Sequence, residues 1–206
     1  MIALPGSVHP GSPFEARLAT SRLRLRRLRA DDLDAMVELD SDPQVMRWLS
    51  GGTATPREFI EEVVLPGFLC IDPRRPWLGV WATEDPAGGF LGWVSLRAVH
   101  PEAPRWASLG YRLCRTAWGR GLATEAAAAV LHQAFHEGDL ERVEATVYEQ
   151  NHASCRVLEK LGLRVFRRHR LTLDDLAVID SFDGGAGEVW EGDDLTYRLE
   201  RADWHG

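Results

Sequence analysis

The sequence lacks the usual marks of a secreted, membrane-spanning or metal-binding protein. Three cysteines occur in 206 residues and none forms a Cys-x-x-Cys motif, which favours a reducing cytoplasm and argues against a disulfide framework or a zinc site. The seven histidines have no metal-ligand spacing, so we expect no metal. No apolar run approaches the ~18 residues of a membrane span, and no basic segment precedes an apolar one at the N-terminus, so we expect neither a membrane association nor a signal peptide.

The composition is that of an ordinary globular protein. Hydrophobic residues make up 45% and charged residues 27% of the chain, which is typical of soluble domains. The formal net charge of −7 argues against nucleic acid as a partner. Because we find no internal repeat and no linker, residues 21–206 are predicted to form one domain. Residues 1–20 contain Pro, Gly and Ser and are predicted to be a flexible tail.

The order of strands and helices predicts a mixed-sheet α/β fold. Alternating apolar and polar residues indicate half-buried strands at 22–28, 77–83, 90–99, 105–115, 141–148, 163–171 and 195–201. The first helix begins in an acidic stretch at residue 30 and is broken by Pro43; the second has Thr55 as its N-cap and Pro56 in first position. Further helices are predicted at 122–136 and after Asn151.

The segment WGRGLATEAAAAVLHQAF, residues 118–135, joins a glycine-containing loop directly to a strong helix. The first turn of a helix offers unpaired N–H groups and the positive end of the dipole, and glycine lets a ligand approach the backbone. The segment is therefore a candidate anion site, with Arg120 adding a positive charge. It has neither a GxxxxGK[ST] motif nor a complete GxGxxG motif, because Thr124 stands at the third glycine. A tight structural turn is the alternative.

Two quoted segments carry a resemblance to a known family. GYRLCRTAWGRGLATEA (110–126), followed after a strand by NHASCRVLEKLGLRVFRR (151–168), resembles the acetyl-CoA core of the GNAT acetyltransferases. The branch it resembles most contains the ribosomal-protein N-terminal acetyltransferases, and the likeness runs from about Ser21 to Trp204. It implies the GNAT fold, with a central twisted, mostly antiparallel sheet, a splayed parallel strand pair and flanking helices. It also implies acetyl-CoA as co-substrate and an amine acceptor, and is compatible with a homodimer.

The resemblance also implies which residues bind CoA. The family's Gln/Arg-x-x-Gly-x-Gly/Ala loop corresponds to Trp118, Gly119, Arg120, Gly121, Leu122 and Ala123, with Trp118 in place of the usual first residue. The amides of residues 119–124 would hold the pyrophosphate. The strand around Leu113 and Arg115 would offer backbone groups to the pantetheine arm and the thioester carbonyl. Asn151 would bind the pantetheine where the two parallel strands separate, or would only cap its helix.

The catalytic residues depart from the family's pattern at two positions. Many relatives have a tyrosine acid where this chain has Leu158, and Ser154, one turn earlier, becomes the candidate donor to the leaving thiolate; it could equally be a small packing residue. A strand N–H near Leu113 would stabilise the oxyanion. Relatives often have a glutamate base where this chain has Ser108. The remaining base candidates are His100, Glu102, Tyr111, Glu144 and Tyr148, with a water-relayed path as the alternative.

The acceptor is the least determined part of the function. A pocket walled by Trp48, Trp93, Trp190 and the loops 99–105 and 175–192 would suit an amine, since the late loop is acidic. A protein N-terminus, an amino acid, a polyamine and an aminoglycoside all remain open. Two alternatives to acetyl transfer also remain: a GNAT-fold domain that binds acyl-CoA as a sensor or scaffold without turnover, and transfer of another acyl group.

Overall fold

A computed structural model describes residues 17–99, 103, 105–170 and 191–205. Within these ranges one sheet contains eight strands in the order β1-β2-β3-β4-β5-β6-β8-β7. The strands are β1 Arg17–Ala19, β2 Arg24–Arg27, β3 Gly79–Glu84, β4 Phe90–Ala98, β5 Trp106–Leu113, β6 Arg142–Tyr148, β7 Arg164–His169 and β8 Asp194–Glu200. The last strand thus lies between β6 and β7, an order that the strand pattern alone does not predict.

The sheet is antiparallel except at one junction, which confirms the predicted fold class. Only β5 and β6 run parallel, and their register covers Trp106↔Arg142 to Ser108↔Glu144. Beyond that point β5 continues to Leu113 and β6 to Tyr148 without pairing to each other. We call the space between these two unpaired segments the β5–β6 gap.

The helices lie on both sides of this sheet. They are α1 Leu33–Ser41, α2 Pro43–Ser50, α3 Arg57–Phe59, α4 Leu65–Leu69, α5 Leu122–His136 and α6 His152–Lys160. One core joins α5 and α6 to the sheet and includes Trp81, Val130 and Leu158. The other core joins α1–α4 to the opposite face and includes Met36 and Trp93. The β5–β6 gap therefore has a helical layer on each side.

Prolines define the early helices. Pro43 ends α1 as predicted and also starts α2, because a residue without an N–H is tolerated in the first turn; the Asp42 side chain accepts from the Gln44 N–H at 2.9 Å. The predicted Thr55 cap is wrong: Pro56 keeps an extended ψ of 139° and is itself the N-cap of α3. The segment Ile60–Val64 between α3 and α4 is π-helical, since Pro66 cannot donate to the carbonyl one turn earlier.

The first and last strands join the sheet near the two ends of the described chain. Arg17–Ala19 pair with Arg24–Arg26 of β2, so these three residues belong to the sheet and not to the predicted tail. Residues 1–16 lie outside the described residues. Near the C-terminus, β8 pairs with both β6 and β7. No helix in the described part of the chain is long and apolar enough to cross a membrane.

Candidate active site

Backbone groups of β5 point into the β5–β6 gap. The Cys114 N–H donates to the Leu91 carbonyl of the β4 side at 2.9 Å. Residues of an antiparallel strand alternate between facing and not facing the partner strand, so Tyr111 and Leu113 direct their N–H and C=O groups away from β4. The last paired residues of β5 and β6 are Ser108 and Glu144. Leu113 lies five residues beyond Ser108, and Tyr148 lies four residues beyond Glu144. Leu113 and Tyr148 therefore lie at about the same height on opposite sides of the gap.

The carbonyl and the N–H of Leu113 have different surroundings. The Trp118 indole N–H donates to the Leu113 carbonyl at 2.7 Å, so this oxygen already has a donor. The Leu113 N–H faces the gap and is the group that can donate to a bound ligand. Trp118 itself is 47% exposed and connects the end of β5 to the loop that follows.

The predicted phosphate loop has the conformation that an anion site needs. Gly119 and Gly121 have φ of +70° and +76°, a region that glycine enters without steric cost. Nothing lies within 4 Å of a Cβ placed on Gly119, and a Cβ on Gly121 would meet Arg22 Nη2 at 3.7 Å. Gly121 is the N-cap of α5, and the Leu122 to Thr124 amides begin this helix. The loop is thus open to a ligand at the positive end of a 15-residue helix.

Arg22 braces this loop, which the sequence did not indicate. Its guanidinium pairs with Glu125 in the first turn of α5 and donates to the Arg120 carbonyl at 2.8 Å. Burial alone would raise the pKa of Glu125, but hydrogen bonds from Thr20 and Arg22 outweigh it and hold this pKa below its ordinary value. The arginine therefore compensates the negative charge of Glu125 beside the loop, and its guanidinium lies near Gly121. The residues are 103 positions apart, so no local pattern reveals them.

The Arg22–Glu125 pair gives a prediction for the pH dependence of stability. Glu125→Gln is expected to lower the free energy of unfolding at pH 7 by about 0.5 kcal/mol, since the pair is partly exposed. The folded-state pKa of Glu125 is depressed, so this contribution is present above the unfolded carboxyl value of ~4.3 and is lost as the pH falls through the folded value. Urea unfolding of both proteins at pH 7 and pH 3 measures it. An equal difference at both pH values would contradict the pairing.

Asn151 and Ser154 lie at the start of α6, beside the gap. Asn151 caps the helix as predicted: its Oδ1 accepts from the Ser154 N–H at 3.2 Å, and an asparagine amide retains its NH₂ to donate elsewhere. The hydroxyls of Ser154 and Tyr111 are 2.7 Å apart, and the Tyr111 hydroxyl also donates to the Ser154 carbonyl at 3.2 Å. Leu158, one turn further along, is buried in the core.

Arg115 is placed differently from the rest of the predicted CoA set. It starts a 3₁₀ turn, Arg115–Ala117, in which its carbonyl accepts from the Trp118 N–H at 3.0 Å. Its guanidinium pairs with Asp42, the cap of α2, at 2.7 Å. The side chain is thus directed to the α1–α4 layer, and the turn positions the loop from the other side.

The five base candidates differ in what their side chains contact. Glu144 is paired with Arg198 at 2.7 Å, which keeps its carboxylate engaged. The Tyr148 hydroxyl donates to the Glu191 carbonyl at 3.4 Å. Tyr111 contacts Ser154, and burial raises the pKa of its phenol, although the hydrogen bond with Ser154 acts the other way. His100 and Glu102 lie outside the described residues.

The face of the gap opposite α5 and α6 has an aromatic wall. The Trp48 ring of α2 lies 5.5 Å from the Tyr148 ring, and the Arg47 guanidinium is 4.6 Å from the Trp48 centroid. Trp93, predicted as a wall residue, is instead core: it is 3% exposed and packs edge-on against Phe68 at 5.2 Å, because its side chain points under α4. Trp190 lies outside the described residues. Trp48 and Tyr148 therefore form an aromatic surface on this side of the gap.

A groove adjoins the phosphate loop on the α5–α6 side. Its volume is about 310 Å³, and Thr124 in the first turn of α5 is part of its lining. Ala128, Lys160 and Gly162 continue the lining between the two helices. The groove thus continues from the first turn of α5 along the surface, and its lining includes both the cationic Lys160 and the acidic Asp203.

In the part of the chain that the structure describes, no cluster of three or more His, Cys, Asp or Glu residues could hold a metal ion.

Comparison with known proteins places this geometry in one family. Residues 22–164 match the model of the acetyltransferase (GNAT) domain. The chain is similar to the FsC-acetyl coenzyme A-N(2)-transacetylase of Aspergillus fumigatus, with 28% identity over 196 residues, which are 91% of this chain and 77% of that protein.

Two solved structures share the fold at low sequence identity. Spermidine N-acetyltransferase from Vibrio cholerae, in complex with CoA and spermine, has a TM-score of 0.70 at 16% identity and covers 91% of this chain and 100% of its own. Ribosomal-protein-S5-alanine acetyltransferase from Vibrio fischeri has a TM-score of 0.66 at 16% identity, covering 93% and 100%. At this identity the likeness concerns the fold alone.

Proposed function

The chain belongs to the acetyltransferase (GNAT) domain family and is an acyltransferase, and we propose that it transfers the acetyl group of acetyl-CoA directly to a primary amine in a ternary complex. The observation that carries the proposal is the open glycine loop at the N-terminus of α5, which adjoins a gap between two parallel strands. A diphosphate and an extended thioester arm fit these two adjoining features.

CoA would bind from the α5–α6 side. The amides of Gly119 to Thr124 would hold the pyrophosphate at the positive helix end, and Arg22 supports the loop through the Arg120 carbonyl. The pantetheine would run along β5 towards Asn151, whose amide NH₂ can donate to it. The nucleotide end would occupy the groove lined by Lys160.

The amine would reach the gap from the opposite face, past Trp48 and Tyr148. Its nitrogen must lose a proton and attack the thioester carbonyl carbon, and the carbonyl oxygen then gains negative charge. The Leu113 N–H faces the gap, so it is placed to donate to this oxygen. The electron pair of the breaking C–S bond goes to sulfur, and we propose that the Ser154 hydroxyl donates a hydrogen bond to the departing thiolate. With Glu144 paired to Arg198, we propose that the amine proton leaves through water.

The main rival is an acyl-CoA sensor without turnover, because Leu158 and Ser108 stand where relatives have an acid and a base. Calorimetry with acetyl-CoA, followed by initial rates at varied acetyl-CoA and amine concentrations, separates the two. We expect binding of acetyl-CoA and intersecting rate lines, the pattern of a ternary complex. Parallel lines, the pattern of a covalent intermediate, would contradict direct transfer. Succinyl-CoA or a longer acyl-CoA that outcompetes acetyl-CoA would contradict the acetyl preference.

A further inference from the structure

Two hydroxyl groups from different elements meet beside the gap. Tyr111 is on β5 and Ser154 is in the first turn of α6, 43 residues later, and their hydroxyl oxygens are 2.7 Å apart. Both side chains lie on the α5–α6 face of the sheet, because Tyr111 packs against the core that contains Leu158. The contact thus joins β5, the strand that borders the gap, to α6, the helix that begins beside it.

The pair lies next to the segment of β5 that borders the gap. Tyr111 is two residues before Leu113 on the same face of β5, and Leu113 directs its N–H into the gap. Asn151 fixes the backbone of Ser154 through the 3.2 Å cap bond. Ser154 is therefore held from two sides, by its N–H and by its hydroxyl, and its orientation does not depend on a bound ligand.

We infer that Tyr111 is a positioning residue that holds the Ser154 hydroxyl as a hydrogen-bond donor to the sulfur of bound CoA. This inference rests on the proposed function, since it needs CoA in the gap. A serine hydroxyl has one proton to donate and two lone pairs to accept with. Either hydroxyl can be the donor in the 2.7 Å contact, and the phenol proton also faces the Ser154 carbonyl at 3.2 Å. When the phenol proton is shared between Ser154 Oγ and this carbonyl, the serine proton is not used by Tyr111 and can reach the thiolate.

The role is donation of a hydrogen bond and not of a proton. Burial raises the pKa of Tyr111, although the Ser154 contact opposes this, and Cys155 raises it further. Tyr111 therefore stays protonated throughout the working pH range and keeps its donor. The C–S bond breaks with its electron pair on sulfur, the amine proton goes to water, and the thiolate takes a proton from water after release.

The titratable neighbours do not offer a competing acid to the sulfur. Cys155 follows Ser154 and is buried, with its thiol near the Glu149 carbonyl at 3.9 Å. The Tyr197 hydroxyl donates to Glu159 at 3.3 Å, further along α6. Cys155 and Tyr197 are buried on the core side of α6, and Glu159 is exposed and accepts from Tyr197, so the thiol of bound CoA is the group whose titration reports on Ser154.

The test measures the thiol pKa of CoA bound to the full-length protein. The dissociation constant of CoA is determined from pH 6.5 to pH 10 and divided by that of desulfo-CoA, which lacks the sulfur and cancels every other ionisation. A hydrogen bond to the thiolate lowers the thiol pKa below its free value of ~8.5. The corrected affinity of the wild type is then expected to rise about tenfold over this range, one pKa unit.

Three variants give the expected pattern. Ser154→Ala should abolish the rise, Tyr111→Phe, which keeps the ring, should reduce it to about threefold, and the double variant should match Ser154→Ala. Affinities at pH 6.5 should stay within twofold, while kcat with any amine turned over by the wild type falls in each variant.

An unchanged rise in Ser154→Ala would overturn the role of Ser154, and an unchanged rise in Tyr111→Phe would overturn that of Tyr111. A wild-type protein that binds CoA with no rise would overturn both roles and leave the proposed function standing. Failure of the wild type to bind either CoA or desulfo-CoA would instead overturn the proposed function.

Discussion

Replacing Asp40 with asparagine is expected to lower the free energy of unfolding by about 3–5 kcal/mol. Both Asp40 oxygens accept from Arg112 Nη1 at 2.5 Å, and the two residues are only 3% and 6% exposed. Asparagine keeps the shape of the side chain but removes the negative charge that pairs with the buried arginine. Because Arg112 precedes Leu113 on β5, this pair also fixes α1 beside the gap.

Urea unfolding of Asp40→Asn against Asp34→Asn measures this effect. Asp34 is on the same helix and also pairs with an arginine, Arg57 at 2.7 Å, but its side chain is 84% exposed. Its replacement should change the free energy of unfolding by less than about 0.5 kcal/mol. The double variant Asp40→Leu with Arg112→Met should recover most of the loss, since a buried ion pair and an apolar pair are often of similar stability. Equal midpoints for Asp40→Asn and Asp34→Asn would contradict the buried pairing.

Replacing Gly121 with aspartate is expected to weaken CoA binding by at least about tenfold relative to asparagine at the same position, or ~1.4 kcal/mol. Both side chains tolerate the left-handed backbone better than most residues, so the φ of +76° costs them about the same. They differ in charge, and aspartate would place a carboxylate against the pyrophosphate at the start of α5. Salt should reduce the difference.

Calorimetry with CoA and with pantetheine, which has no phosphate, checks this prediction. Pantetheine should not distinguish Gly121→Asp from Gly121→Asn, because the predicted contact is with the pyrophosphate. Equal CoA dissociation constants in the two variants would remove the loop from the binding site. A difference of the same size with pantetheine would mean that the aspartate disturbs the fold and not the anion contact.

Local patterns in the sequence predict much of this fold. The strand positions, the break at Pro43, the Asn151 cap and the abrupt start of the helix after Gly121 depend on neighbouring residues, and the structure agrees with each of them. The predicted half-burial is wrong for β3, which is buried on both faces, and for β7, which is mostly exposed. The helix cap is predicted at Thr55 but is Pro56, and a one-residue error of this kind is common when boundaries are read from local patterns.

What the sequence could not predict depends on contacts between distant segments. The insertion of β8 between β6 and β7, the Arg22–Glu125 brace and the Tyr111–Ser154 contact join residues that no periodicity connects. The direction of Trp93 into the core follows from the position of α4, which the strand pattern leaves open. The tyrosine missing at Leu158 looks like a loss in the sequence, yet a tyrosine from β5 lies beside Ser154 in the structure.

The release of free thiol from acetyl-CoA, followed with and without amines, tests the central claim most directly. Wild-type protein is incubated with acetyl-CoA and a panel that contains a peptide with a free N-terminus, an amino acid, a polyamine and an aminoglycoside. Mass spectrometry counts the acetylated amine in the same reaction. We predict thiol release that depends on an amine, with one acetylated amine formed for each thiol. Bound acetyl-CoA with no acetylated product from any amine of the panel, or thiol released equally without amine, would contradict the account.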